Sequence, residues 1–274
     1  MSPDTLPEAP EPATTAREWK ETETGSVFVS NYPPYSFWSE DAVDDVKTML
    51  DTSSQNSQPP LGLYMHIPFC RKRCKFCYFR VYTGRNASDI QRYLDGLAQE
   101  VENYSQKARI KGRALDFVYF GGGTPSFISA GHLRDFVARI KNVMPWTSTQ
   151  EVAFECEPGT LTQAKLEAIR DIGVTRLSLG VENMNDDILR ENGRAHVTKE
   201  IYRVLPWVKE MAFEQVNMDL IAGMVGETFD SWKDTVQKMI DLDPDCVTIY
   251  QLELPYNTVY SKNIKSEDDS VPVV

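Results

Sequence analysis

Tyr64-Met65-His66-Ile67-Pro68-Phe69-Cys70 leaves an apolar stretch and enters a loop that carries two more thiols, Cys74 and Cys77. The apolar residues before the loop, Leu61 to His66, predict a strand. Thiolates are the ligands that iron-sulfur clusters use. Three of them on one short loop can hold three irons of a cubane and leave the fourth iron without a protein ligand. His66 with the three cysteines is the alternative, a Cys₃His zinc set, although structural zinc sites come more often as two separated ligand pairs. The other two cysteines, Cys156 and Cys246, each stand alone in an apolar run and read as core thiols. Five cysteines so distributed make a poor disulfide framework, which points to a reducing compartment.

Outward from this loop, short apolar runs alternate with longer amphipathic stretches. Further strands are predicted at Leu115 to Phe120, Glu151 to Glu155, Arg176 to Val181, Gln215 to Ile221 and Cys246 to Leu252. Helices are predicted at Ser88 to Ala108, Ala130 to Val143, Thr162 to Ile172, Asp186 to Glu191 with Lys199 to Met211, and Thr228 to Leu242. Strands joined through helices demand parallel pairing by right-handed crossovers. Apolar runs such as Val118-Tyr119-Phe120 fit a sheet buried on both faces. Periodicity alone leaves open whether that α/β sheet is flat or curled into a barrel.

The 274 residues suffice for one α/β domain of about 200 to 250 residues. The domain is expected over 61–260. Residues 1–25, rich in Pro, Glu and Thr, read as disordered. Residues 26–60 read as an aromatic arm, a short amphipathic stretch (Val43, Val46, Met49, Leu50) and a polar linker, and residues 261–274 as a tail. A formal charge of -11 excludes a general nucleic-acid binder. No apolar run of membrane-spanning length appears and the N-terminus has no signal-peptide pattern, so a cytoplasmic protein without a membrane partner is expected.

Gly121-Gly122-Gly123-Thr124-Pro125 ends the second strand, where α/β sheets carry ligands and where glycine lets backbone approach them. Three acids sit near other strand ends: Glu155, Glu182 and Asp219. A carboxylate inside an apolar strand is costly unless paired or bound to a ligand, so each is a site candidate, with an ion pair or helix cap as the structural alternative. Arg194 is a candidate partner for one of these acids or for a ligand carboxylate. His132 and His196 read as surface or capping residues. The basic run Arg71-Lys72-Arg73 with Lys75 reads either as a solvated loop or as charge placed to raise the potential of a nearby cluster.

The Cys-x₃-Cys-x₂-Cys spacing, with Phe76 before the last cysteine, resembles the signature loop of the radical S-adenosylmethionine (SAM) superfamily. Within it the chain is similar to the oxygen-independent coproporphyrinogen III oxidase group. The likeness covers about Leu61 to Tyr260 and includes Gly121 to Pro125, Ser178-Leu179-Gly180-Val181 and Asp219-Leu220-Ile221-x-Gly223. It implies a partial (β/α)₆ barrel and a [4Fe-4S] cluster on Cys70, Cys74 and Cys77 whose open iron chelates SAM. Reductive cleavage of SAM to a 5′-deoxyadenosyl radical would then abstract hydrogen from a small molecule, by the resemblance a tetrapyrrole, with flavodoxin or ferredoxin as electron donor. Tyr64 would touch the sulfonium region. Gly122, Gly123 and Thr124 would hold the methionine amino end, and Phe76, Glu155, Arg194, Asp219 and Ile221 would line the rest. Tyr64 and Glu182 are the residues given catalytic roles.

Several positions depart from the group. Phe79 stands where the oxidases have a further cysteine, and Glu182 where the group commonly has Gln. The haem-chaperone His-Asn-x-x-Tyr-Trp motif is absent. The chain ends at Val274, shortly after the sixth strand, where relatives continue into a C-terminal domain that covers the substrate. The rival readings are therefore a radical SAM C-methyltransferase and, from another class, a non-catalytic haem or cofactor chaperone.

Overall fold

A computed structural model describes residues 39–53, 59–255 and 257–265. Among them, six strands form one parallel sheet in strictly sequential order: β1 (Gly62–Ile67), β2 (Phe117–Gly122), β3 (Glu151–Cys156), β4 (Arg176–Glu182), β5 (Gln215–Ala222) and β6 (Cys246–Gln251). The helices are α1 (Val43–Asp51), α2 (Ala87–Ser105), α3 (Ala130–Val143), α4 (Gln163–Asp171), α5 (Asp186–Glu191), α6 (Thr198–Met211), α7 (Phe229–Leu242) and α8 (Val259–Lys265). A sequential order means that the crossovers never reverse direction. Right-handed connections then put the helices that join consecutive strands on the same face, which is the half-barrel solution rather than the doubly wound one.

Side-chain alternation along the strands separates core from site. Met65, Ile67, Val118, Phe120, Val152, Phe154, Leu177, Leu179, Met218 and Leu220 are all buried and form the core with the helices. The alternate positions, among them Tyr64, Tyr119, Glu155, Ser178 and Asp219, fall on the opposite, concave face. Helix starts are fixed by side-chain caps: Asn86 on Asp89, Ser129 on His132, Thr162 on Lys165 and Thr228 on Ser231.

The second strand and the N-terminal amphipathic stretch depart from the sequence expectation. The second strand begins at Phe117 and takes in Gly121 and Gly122, which pair with His66 and Ile67 of β1, so the glycine run opens as strand and only then turns. The amphipathic stretch after residue 40 does form α1, but Val43, Val46 and Met49 stay largely exposed. That helix touches the domain at its last turn, where Arg109 N donates to Leu50 O (3.0 Å) and Lys107 pairs with Asp51 (2.9 Å). The aromatic arm before it lies outside the described residues. No helix among the described residues is long and apolar enough to cross a membrane.

Candidate functional site

The cysteine loop leaves β1 at the C-terminal edge of the sheet and is pinned from several sides. Cys70 N donates to Tyr82 O (3.1 Å) and Tyr82 N to Pro68 O (2.8 Å). Lys75 N donates to Asn192 O (3.1 Å), beyond α5, and Val259 N, at the start of α8, donates to Lys75 O (3.0 Å). Cys77 N closes a tight turn on Cys74 O (3.2 Å). The first two thiols each have a partner from a different element: Thr124 Oγ1 lies 3.3 Å from Cys70 Sγ, and Arg194 Nη1 lies 3.4 Å from Cys74 Sγ. Cys156 is buried in β3 and reaches the lining of the cavity onto which the loop opens, whereas Cys246, at the start of β6, is only partly buried and does not line it.

All three loop cysteines line one open cavity of about 650 Å³ together with Phe76, Gly122, Gly123, Thr124, Glu155, Glu182, Arg194, Asp219 and Ile221. The cavity is divided electrostatically. Arg71, Lys72 and Arg73 stand on the loop side, whereas three carboxylates project from the ends of β3, β4 and β5. Burial raises the pKa of each of these acids above the ordinary carboxylate range. Glu155 is opposed in this by Tyr119, whose hydroxyl donates to it at 2.7 Å, and Asp219 by hydroxyl and amide donors, Ser178 at 2.8 Å and Asn217 at 2.8 Å. Glu182 is pushed to about 7 by burial, against the pull of Arg194, 3.4 Å away.

Glu182 also sits at a break in the ladder, where register shifts between Gly180 and Glu182 and its φ is +66°. A non-glycine residue in that left-handed region marks local strain of the kind that collects at functional sites. Arg194, nearly buried, donates to Gly180 O (2.8 Å) and contacts Glu182 and Cys74, yet its Nε is buried without a partner among the described residues.

The glycine run has steric reasons to be glycine. Gly122 has φ +118°, and a Cβ there would meet the His66 ring at 2.8 Å; at Gly123 it would meet Cys70 Sγ and the Pro68 carbonyl carbon at 3.0 Å. Phe76 and Ile221 come together in a small apolar cluster with Ile188 and Met224. Tyr64 is placed differently from the other candidates. It is 53% exposed and does not line the cavity; its hydroxyl is hydrogen-bonded with His66 Nδ1 (3.0 Å) and its ring stacks on Tyr119 at 5.9 Å. His66 thus faces Tyr64 rather than joining the cysteines.

The sequence reading missed one network entirely. Glu157, just past β3, accepts both Arg71 Nε and Nη2 (3.1 Å each), the Gly159 amide (2.8 Å) and His196 Nδ1 (3.0 Å). His196 is fully enclosed with its Nε2 3.2 Å from Val181 O, which corrects the surface or capping assignment. His132 does open a helix, half-buried at the start of α3. Arg71 is not freely solvated either, since it also donates to Ala195 O (2.6 Å). The criterion that flagged Glu155, an acid beside an apolar strand, applies equally to Glu157 two residues later. Phe79, in place of a cysteine, stacks on Tyr78 at 4.4 Å.

The residues fit a cluster and its ligand. Burial raises Cys70 and holds Cys77 up at about 11, so these thiols ionise only against a strong cation, and a coordinated metal supplies one. Among the described residues no three His, Cys, Asp or Glu side chains converge on a single point, as a lone ion would need, whereas a cubane takes each thiolate on its own iron. The orphaned Arg194 Nε and the divided charge of the cavity fit a small zwitterion.

Residues 64–239, more than half of the chain, match the radical SAM superfamily, and the chain belongs to that superfamily. Membership implies a [4Fe-4S] cluster and SAM as cofactors. The chain is 30% identical to the heme chaperone HemW of Haemophilus influenzae over 74% of its own length and 54% of that protein's. It is 28% identical to the oxygen-independent coproporphyrinogen III oxidase of Escherichia coli, over 89% of its own length and 52% of the oxidase. The solved structure of the E. coli oxidase superposes with a TM-score of 0.77 at 26% identity, covering 90% of this chain and 56% of that one. The radical SAM methyltransferase TsrM of Kitasatospora setae, at 14% identity and a TM-score of 0.52, shares the fold. The chain spans about half the length of the curated relatives it matches.

Proposed function

We propose that the chain is the radical SAM core of an oxidoreductase resembling oxygen-independent coproporphyrinogen III oxidase. The observation that carries this reading is that the cysteine loop, the glycine shelf and the acidic strand ends open onto one cavity. Cys70, Cys74 and Cys77 would hold the cluster. Gly122 and Gly123 would let backbone approach the methionine part of SAM. Arg194 would take its carboxylate, and Glu155, Glu182 and Asp219 would face its cationic groups. Phe76 and Ile221 would supply apolar contact. Tyr64, bonded to His66 outside the cavity lining, would act by keeping the rim in place. The chemistry that such a loaded site supplies is one-electron cleavage of the sulfonium, giving methionine and a 5′-deoxyadenosyl radical for hydrogen abstraction. The protein's share is to bind, orient and exclude water.

A tetrapyrrole substrate and a cytoplasmic setting with a flavodoxin- or ferredoxin-type donor are carried over from the likeness to the oxidases. A second reading, a haem chaperone with the same fold, is favoured by the similarity to HemW. The test is anaerobic reconstitution followed by product analysis with coproporphyrinogen III. Decarboxylated porphyrinogen with 5′-deoxyadenosine supports the oxidase reading, and S-adenosylhomocysteine marks methyl transfer instead. Stoichiometric haem binding without 5′-deoxyadenosine marks the chaperone.

A further inference from the structure

Glu157 gathers more positive charge than any single partner explains. It accepts a two-pronged hydrogen bond from Arg71, and its carboxylate also acts on Arg194 and Lys165. His196 closes the far side, with both ring nitrogens turned to oxygen acceptors, Glu157 Oε1 and Val181 O. Despite the penalty of burial, these partners hold the Glu157 carboxyl down at about 2. The Glu157 carboxylate thus holds the residue next to Cys70 and acts on the guanidinium that touches Cys74. Glycine at 159 leaves open the space that the Arg71 guanidinium occupies. Arg71, though partly exposed, thereby bridges the loop to two other elements, the end of β3 and the carbonyl of Ala195.

We infer that Glu157, acting through Arg71 and His196, is a positioning residue that clamps the Cys70 end of the cysteine loop and offsets the positive charge around the cluster site. The inference rests on the reading of the loop as the cluster site, and it has two consequences of different kind. The clamp is mechanical and exists in the metal-free chain. The charge offset concerns the loaded chain, because net charge near the sulfurs helps to set an iron-sulfur potential. Without Glu157 the uncompensated Arg71 and Arg194 cations favour the reduced, more negative cluster. Without Arg71 the uncompensated Glu157 disfavours it.

The test uses Glu157→Gln, Arg71→Gln and the double variant. In the metal-free chain, amide hydrogen exchange at Cys70 and Lys75 should be faster in both single variants than in the parent, and unchanged exchange in both overturns the clamp. In the reconstituted chain, Glu157→Gln should raise the midpoint potential of the cluster, Arg71→Gln should lower it, and the double variant should return towards the parent. A purely structural role would move both singles in the same direction, and that result, or no shift in either, overturns the charge offset. Arg71→Gln, at the more exposed end of the pair, covers the case in which Glu157→Gln does not fold. A parent chain that takes up no cluster refutes the reading of the site and with it the charge offset, while the exchange measurement still decides the clamp.

Discussion

The Arg194 guanidinium lies 3.4 Å from the Glu182 carboxylate, and both side chains are nearly enclosed, at 11% and 13% exposure. One residue thus joins a strained strand end to Cys74 of the cysteine loop. Removing one member of a buried pair leaves the other uncompensated, which typically costs about 3 to 5 kcal/mol. Arg194→Ala should lose stability of that order in chemical denaturation above pH 7, where Glu182 is ionised, and less below it, where Glu182 takes up a proton. Arg194→Lys should not restore it, because a single ammonium cannot reach Gly180 O, Glu182 and Cys74 as the planar guanidinium does.

Glu182 gives a pH signature. Its pKa is raised from the ordinary 4.5 to about 7, with burial the main cause. An acid whose folded pKa is raised contributes stability that is fully present below its unfolded pKa and lost as pH rises through the folded one. Between pH 4.5 and about 7.5 the parent should therefore lose up to about 3 kcal/mol relative to Glu182→Gln. Denaturation midpoints of the two chains across that range measure the difference. Parallel pH curves would show that Glu182 stays ionised in the fold.

The cysteines divide cleanly. Cys70→Ala, Cys74→Ala and Cys77→Ala should each abolish stoichiometric iron and sulfide after reconstitution, whereas Cys156→Ala and Cys246→Ala should retain both. Iron and acid-labile sulfide assays decide. Cluster loss on replacing Cys156, which is buried in β3, would reassign the ligands.

Asp219 and the glycine shelf should behave differently from each other. Asp219→Ala should leave iron content unchanged and weaken SAM binding by about tenfold to a hundredfold, the size of a lost charged acceptor. Gly123→Ala should lower iron content as well, because the added methyl group meets Cys70 Sγ and the Pro68 backbone. Gly122→Val adds backbone strain at φ +118° to a clash with His66, so it tests folding as much as binding. Equilibrium binding of SAM and iron analysis on the same preparations separate the two effects.

Much of this was legible along the chain. The apolar runs located all six strands to within two residues at each end, because the core-facing positions of each strand are apolar. The expectation of a sheet buried on both faces did not hold, since the concave face carries Tyr64, Tyr119, Glu155 and Asp219. The three thiols, the glycines and the three strand-end acids were each visible as residues out of character with their surroundings. What was not legible is pairing across distance. Arg71 and Glu157 are 86 residues apart, and Cys70 and Thr124 are 54 apart, and no local rule joins them. His196 looked like a surface residue because its partners, Glu157 just past β3 and Val181 in β4, are distant in the chain. Gly121 and Gly122 fell outside the predicted strand, which stopped at Phe120 with the apolar run, yet the backbone pairs them with His66 and Ile67.

The central claim is that one cavity unites the cluster loop with a SAM site. It is tested most directly by reducing the anaerobically reconstituted chain in the presence of SAM and quantifying 5′-deoxyadenosine and methionine. The account predicts that the two appear in a one-to-one ratio and that both disappear in Cys74→Ala. A chain that carries four irons and four sulfides, accepts an electron and forms neither product would contradict it.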